Sequence, residues 1–256
     1  MIISLLTDFG VRDYFVGAMK GVILSIDPAA RIVDITHEIP AQDISAASFT
    51  LRACHREFPP ETIFVAVVDP GVGSDRRAIL VRTGEHFFIA PDNGLLSFIF
   101  NGGEPFTVFE IAEERFFRHP VSRTFHGRDV FSPAAAHLSA GVEPGEFGPE
   151  IGDFVRHHQS APRRTPDGRI EAEIIHIDRF GNLITNLTRN DLAGTFSLEI
   201  GGRSVEKLSD YFAQAVPGEV FMIWGSAGFL EVAAFRDSAR NLLAAEVGDR
   251  ILVNLG

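Results

Sequence analysis

Residues 62–77 read TIFVAVVDPGVGSDRR. Ile63 to Val68 are all apolar, mostly β-branched and without polar alternation, the pattern of a strand covered on both faces, as in a parallel sheet flanked by helices. Asp69 stands at the carboxyl end of that strand. In open α/β sheets ligands bind at this edge, because loops leaving the strands open a crevice there. Asp69 followed by Pro70, Gly71 and Gly73 also satisfies ordinary turn chemistry, so position alone does not make it functional.

Working outward, strand and helix patterns alternate. IISLLTD predicts a strand, YFVGAMKGVILSI a helix stopped at Asp27-Pro28, RIVDITHEI a strand, and DISAASFTLRACHREF a helix with Asp43 as N-cap and Pro59-Pro60 as stop. AILVRT, HFFIA and FTVFEIA follow as strands, with a short helix after PDNG; RDVFSPAAAHLSAG closes the series as a helix with Asp129 as N-cap and Gly141 at its C-terminal end. This alternation predicts an α/β N-terminal domain over residues 1–159, with a mainly parallel sheet flanked by helices. The polar, Arg-rich stretch VRHHQSAPRRTPDGR then reads as a linker. Beyond it, alternating strands such as EAEIIHID, joined by Gly signals, predict a smaller antiparallel β domain over residues 160–256, a barrel or a sandwich, with DSARNLLAAEV as a short helix.

A chain of 256 residues holds one large domain or two of about 150 residues or fewer. Its 45% hydrophobic and 22% charged residues are those of a globular protein. A formal net charge of -11 argues against a nucleic-acid partner, which requires a basic footprint. The single cysteine, Cys54, cannot form an internal disulfide, which points to a reducing cytoplasm. The opening MIISLLTDFG lacks the basic region and cleavage site of a signal peptide. No apolar run reaches the roughly 18 residues needed to span a bilayer, so no membrane partner is expected.

Polar groups gather at four strand ends: Thr7-Asp8, Asp34 to His37, Asp69 and Asp92-Asn93. Several such groups converging with a Gly-rich loop is how sites are built on open sheets. TFHGRD, residues 124–129, adds His126 beside Gly127, where a side chain can face the crevice. A metal site assembled from Asp8, His37, Asp69, Asp92 and His126 is a second arrangement open to these residue types. HExxH, CxxC, Walker, GxGxxG and GxSxG motifs are all missing. In the second half, IDRFGNLITN (177–186) and WGSAGFLEVA (224–233) bring Asp, Phe, Asn and Ser together around glycines, an inventory for tight turns and equally for holding a small amphipathic ligand.

Taken together, LLTDFGVRDYFVGAMKGVI, IVDITHEI, VAVVDPGVGSDRR, APDNGLL, FHGRDVFSPAAAHLSAG, IDRFGNLITN and GSAGFLEVA resemble, in this order, the S-adenosyl-L-methionine (SAM) hydroxide adenosyltransferases, adenosine-forming hydrolases related to fluorinase and chlorinase. The resemblance covers nearly the whole chain. It implies an α/β N-terminal domain, a β-barrel C-terminal domain, and a homotrimer that binds SAM between subunits. SAM is then a substrate and no cofactor is needed. The family's Asp-Arg-His triad maps onto Asp69, Arg76 and His126, with Arg77 as the alternative arginine. Asp8 matches the aspartate that holds the ribose hydroxyls. Asp178, Asn182 and Ser226 match contacts to the methionine amine, the adenine edge and the amino-acid end. Phe180 and Tyr211 match aromatic residues near adenine. The halogenating relatives replace the residues at Asp69 and His126, and their presence here favours water over halide. Ala227 stands where fluorinase has a basic residue for the carboxylate.

The implied reaction is attack of water on C5′ of SAM. Water holds its proton with a pKa of about 15.7, so the site must stabilise hydroxide character. His126 would serve as general base or, alternatively, would position a water fixed by the Asp69–Arg76 pair. The sulfonium leaves as a neutral thioether and needs no acid. Attack by a developing anion on a cation gains from exclusion of water. A non-catalytic SAM or adenosine sensor and a metal-dependent hydrolase are the alternatives from other classes.

Overall fold

The structure, a computed structural model, describes residues 1–158 and 160–256. The chain folds as two compact units, Met1–Gln159 and Ser160–Gly256. The first contains β1 (Ile2–Thr7), α1 (Phe15–Ile26), β2 (Arg31–Thr36), α2 (Ile44–Cys54), β3 (Ile63–Val67), β4 (Ala78–Thr83), β5 (Phe87–Pro91), α3 (Ser97–Asn101), β6 (Phe106–Glu110) and α4 (Ser132–Ser139). Its sheet runs β2-β1-β3-β5-β4-β6.

β3 is buried on both faces because its side chains alternate between two cores. Ile63, Val65 and Val67 pack with α1 and α4 residues such as Met19, Ile23 and Leu138. Phe64, Ala66 and Val68 pack with Ala47 and Leu51 of α2 and Phe98 of α3. Alternate residues of a strand point to opposite faces, so a run that must fill two cores has no room for polar residues. Asp43 caps α2 as its sequence indicates, its Oδ1 accepting from the Ala46 amide at 2.8 Å.

The sheet is mixed rather than mainly parallel. β2, β1, β3 and β5 pair in parallel, but β4 pairs antiparallel with both β5 and β6. The cause is the short Gly84–His86 connection from β4 to β5, since only antiparallel neighbours can be joined by so tight a turn. The parallel set still delivers the carboxyl ends of β1, β2, β3 and β5 to one edge. Asp8, His37, Asp69 and Asp92 all follow those ends.

The second unit contains β7 (Arg163–Arg164), β8 (Ile170–Ile177), β9 (Leu183–Thr188), β10 (Phe196–Ile200), β11 (Arg203–Val205), β12 (Leu208–Ser209), β13 (Val220–Trp224), β14 (Phe229–Ala234), α5 (Ala239–Leu243) and β15 (Arg250–Leu255). The strand order is β11-β10-β15-β8-β9-β14-β13-β12, with β7 on β8, and the sheet curls as a half-barrel. Its pairings are antiparallel, except that β12 pairs in parallel with β13, a departure at that edge from the expected antiparallel domain. The concave core includes Ile174, Leu183, Met222, Leu230, Val232 and Val253. Among the described residues, no helix is long and apolar enough to cross a membrane.

Candidate active site

The loop after β3 returns Arg76 to the residue that opens it. Arg76 Nε lies 3.0 and 3.1 Å from the two carboxylate oxygens of Asp69, and Nη2 makes a further short bond to Oδ2. The same Nη2 lies 2.7 Å from Nδ1 of His126, fifty positions along the chain. Both side chains of the ion pair are largely buried, Arg76 at 11% and Asp69 at 5% exposure. Phe131 lies beneath the guanidinium, 5.2 Å from ring centroid to Cζ.

A guanidinium has donors and no acceptor, so Nδ1 of His126 must be the unprotonated, accepting nitrogen. The proton of the neutral ring is therefore on Nε2, which makes no hydrogen bond to the described residues. Burial, then the adjacent Arg76 charge, push the His126 pKa below its ordinary value, outweighing Asp69 and Asp129. The ring is neutral near pH 7 and presents an N–H.

Two features bring the Asp69 and His126 segments together. Gly73 has φ +78°, and a Cβ there would overlap the carbonyl oxygen of Arg123, three residues before His126, so only glycine permits this approach. On the other side Asp129, fully buried, gathers the 118–129 loop. It accepts from Arg128 Nε at 2.7 Å, the Ser122 amide at 2.9 Å and Arg118 Nη1 at 3.3 Å. Burial would raise its pKa, but the bonds from Arg128 and Ser122 take it below the ordinary carboxylate value. Asp129 is thus not the N-cap that its sequence context suggests. The helix opens with a π-turn over Gly127–Phe131, preceded by His126, and Asp129 lies inside it. Such insertions recur at functional sites because they re-aim side chains.

The neighbouring arginine goes elsewhere. Arg77 donates to Asp92 Oδ2 from Nε at 3.1 Å and Nη2 at 2.9 Å, and to Asp153 Oδ1 from Nη1 at 2.6 Å. The five residues of the alternative metal arrangement separate accordingly: Asp92 pairs with Arg77, Asp69 and His126 flank the Arg76 cation, and His37 pairs with Thr7. Among the described residues no three His, Cys, Asp or Glu side chains gather as a metal site. Asp8 accepts the Gln42 amide on Oδ2 at 2.8 Å.

In the second unit, Asp178 organises the β8–β9 turn. Its Oδ1 accepts from the amides of Phe180 and Asn182 at 2.8 and 2.9 Å, and its Oδ2 from Asn182 Nδ2 at 2.8 Å. Asn182 is buried while Phe180, at the tip, is 77% exposed. Ser226 lies exposed in the β13–β14 turn, and Tyr211 follows β12, which runs parallel to β13, so both leave the same sheet edge. Sequence reasoning missed Glu231. Its carboxylate fills the space a Cβ would need at Gly225, and burial, then the Asp178 charge, push its pKa up. A lone glutamate within the apolar run FLEVAA was the signal available.

Known proteins match this chain along most of its length. Residues 3–148 match the family described as SAM hydroxide adenosyltransferase N-terminal domain, and residues 172–252 that described as SAM hydroxide adenosyltransferase C-terminal domain. An (R)-S-adenosyl-L-methionine hydrolase of Thermus thermophilus is 38% identical over 250 residues, covering 95% of each chain. A protein of the same name from Methanocaldococcus jannaschii is 34% identical over 98% of this chain and 94% of its own. The crystal structure of an uncharacterized conserved protein from Thermotoga maritima superposes with a TM-score of 0.90 at 34% identity, covering 99% of both chains.

Proposed function

The chain belongs to the SAM hydroxide adenosyltransferase family, and we propose from that premise that it hydrolyses SAM to adenosine and L-methionine, with Asp69, Arg76 and His126 as its catalytic residues. The carrying observation is the single guanidinium that bonds both an acid and an imidazole at the carboxyl edge of the sheet. The attacking oxygen forms its bond to C5′ as the C5′–S bond breaks. The electron pair goes to sulfur, giving a neutral thioether, and the proton of the attacking water leaves to solvent.

Within this reading His126 positions the nucleophile and does not deprotonate it. Its Nδ1 is occupied by Arg76, so the ring offers Nε2–H, which donates to an oxygen. Together with the Arg76 charge, this donor favours hydroxide character at the attacking atom, as preorganised donors do wherever negative charge develops. Asp69 holds the guanidinium in place. The relatives' name specifies an (R) form of SAM, and since the amino acid is separately designated L, the descriptor belongs to sulfur. The (R) sulfonium epimer is accordingly the preferred substrate here.

The remaining pocket residues follow from the family resemblance: Asp8 for the ribose hydroxyls, Asp178, Asn182 and Ser226 for the methionine amine, adenine edge and amino-acid end, with Phe180 and Tyr211 near adenine. The exposure of Phe180 and Tyr211, 77% and 58%, suits aromatic groups that stack on a ligand. A homotrimer with SAM between subunits completes the proposal. The β-barrel form of the second unit is supported by β11, near one end of the strand order, also touching β13 near the other. The unpaired Cys54 fits a cytoplasmic setting.

The test is incubation of mixed SAM epimers with purified protein in ¹⁸O-labelled water. Expected are adenosine labelled at the 5′-hydroxyl and loss of the (R) epimer ahead of the (S). Heat of binding without adenosine would instead indicate a sensor, and unlabelled adenosine would remove water as nucleophile.

A further inference from the structure

His37 is buried at 4% exposure, yet it contacts neither Asp69, Arg76 nor His126 in the interactions that define the triad. Two of its bonds converge on the turn that carries Asp8. Nδ1 lies 2.8 Å from Thr7 Oγ1, and its carbonyl accepts the Gly10 amide at 2.7 Å. Nε2 lies 3.1 Å from Oδ1 of Asp34, itself paired with Lys20 at 2.6 Å, although the approach to His37 is too oblique for a full hydrogen bond. A carboxylate only accepts, so its proximity favours a proton on Nε2 and leaves Nδ1 to accept from the Thr7 hydroxyl. The lone pairs of Thr7 Oγ1 are then free for the Phe9 amide, 3.2 Å away. That closes a side-chain-to-backbone turn spanning Asp8.

Beyond this turn, the segment following His37 reaches the carboxylate itself. Gln42, at φ +66°, is a non-glycine residue in the left-handed region, and its amide donates to Asp8 Oδ2 at 2.8 Å. Strained backbone of this kind persists where surrounding structure over-determines it, commonly beside ligand sites. The carboxylate is thereby fixed in orientation, and with about four lone-pair sites on its two oxygens it can still accept from two ligand hydroxyls. A vicinal diol requires a carboxylate held in one orientation, because both hydroxyls must find acceptors together.

We propose that His37 is a positioning residue for substrate recognition: by orienting the Thr7 hydroxyl and anchoring the Asp8 turn, it holds the Asp8 carboxylate in the orientation that selects a ribose carrying both hydroxyls. This rests on the assignment of Asp8 to the ribose. It predicts control over discrimination between SAM and its 2′-deoxy and 3′-deoxy analogues, with little effect on the triad.

The experiment measures kcat and KM for SAM and the two deoxy analogues in wild type, Asp8→Ala, Thr7→Val, Thr7→Ser and His37→Gln. Wild type should favour SAM by about tenfold or more, the range of a hydrogen bond to a charged group, and Asp8→Ala should lose that preference. Thr7→Val and His37→Gln should each lose most of it through KM, with kcat within about threefold, while Thr7→Ser, which keeps the hydroxyl, should retain it. A preference intact in Thr7→Val and His37→Gln but lost in Asp8→Ala would overturn the inference alone. A preference missing from wild type, or kept by Asp8→Ala, would overturn the ribose assignment beneath it. Should His37→Gln fail to fold, Thr7→Val against Thr7→Ser decides.

Discussion

Nη2 of Arg76 lies 2.7 Å from Nδ1 of His126, so a permanent donor occupies the nitrogen from which this histidine could have accepted a proton. In the proposed reading the guanidinium and the imidazole, held by the accepting acid, serve as donors and not as a proton relay. This distinguishes the present geometry from a Ser-His-Asp triad, in which the acid accepts from the histidine and leaves its other nitrogen free to act as base.

Substitutions at His126 separate the two roles. His126→Asn keeps an acceptor for Arg76 and a donor for the nucleophile, and should retain turnover within about tenfold of wild type. His126→Ala removes both and should lose about a hundredfold or more, the scale of a catalytic proton or hydrogen-bond contact. Single-turnover rates of adenosine formation provide the measurement. Equal losses in both variants would mean that a basic imidazole is required after all.

The pH profile follows from the same contact. Protonation of His126 places a hydrogen on Nδ1 facing the Arg76 donors, so only the neutral ring is competent. Burial and Arg76 lower its pKa from the ordinary value of about 6.5. In the free enzyme, kcat/KM should therefore hold down to about pH 6.5 and fall only below it. A limb centred above 6.5 that vanishes in His126→Asn would contradict this assignment.

Arg76 and Arg77 should fail in different ways despite being adjacent. Arg76→Ala should abolish turnover, since Arg76 bonds both Asp69 and His126. Arg77→Ala leaves Asp92, 3% exposed, without its cation. Breaking a buried pair from one side costs about 3–5 kcal/mol, and the partial exposure of Arg77 puts this case at or below the lower end. Denaturant unfolding should show that loss, while kcat per folded molecule stays near wild type.

His86 sets an acid limit on stability. It is buried at 3% exposure, neither ring nitrogen has a hydrogen-bond partner among the described residues, and it packs edge-on to Phe64 with ring centroids 5.4 Å apart. Burial, then the neighbouring His55, lower its pKa in the folded state. The unfolded chain thus binds the proton more readily, so stability from this site is complete above about pH 6.5 and declines as pH falls below it. His86→Leu should be more stable than wild type, by about 1–3 kcal/mol for removing unsatisfied buried nitrogens, and its advantage should widen below pH 6.5. An advantage that is constant with pH in urea titrations would show that His86 does not titrate on unfolding.

The sequence revealed the strands of the first unit and the edge they serve because β3 had to fill two cores, and that demand leaves an unbroken apolar run. It did not reveal the reversed direction of β4, since AILVRT reads alike in either sense and only the short link through Gly84 specifies the pairing. Asp69, Arg76 and His126 were legible through an ordered set of motifs, but the choice between Arg76 and Arg77 depends on which way each side chain leaves the loop. Asp129 read as a cap because an acid before a helix usually is one; the π-turn that buries it leaves no periodic trace in five residues. Glu231 meets Gly225 across its own hairpin and feels the charge of Asp178 on a distant turn, and Gln42 reaches Asp8 far back in the chain, so neither role shows in local pattern.

The proposed assembly makes a prediction that no single-chain variant can make. Asp69 and Asn182 belong to different compact units, residues 1–159 and 160–256. The homotrimer that the family resemblance implies, with SAM between subunits, predicts that one subunit supplies the first and its neighbour the second to each site. Asp69→Ala and Asn182→Ala should each be nearly inactive alone. Mixed trimers, formed by co-expression with distinguishable tags, contain some sites where the unaltered Asp69 of one chain faces the unaltered Asn182 of another. They should recover a fraction of wild-type adenosine formation set by the ratio of the two chains. If doubly tagged trimers form, as native mass spectrometry would reveal, and remain as inactive as either parent, each site is built within one chain and the shared-site arrangement is wrong.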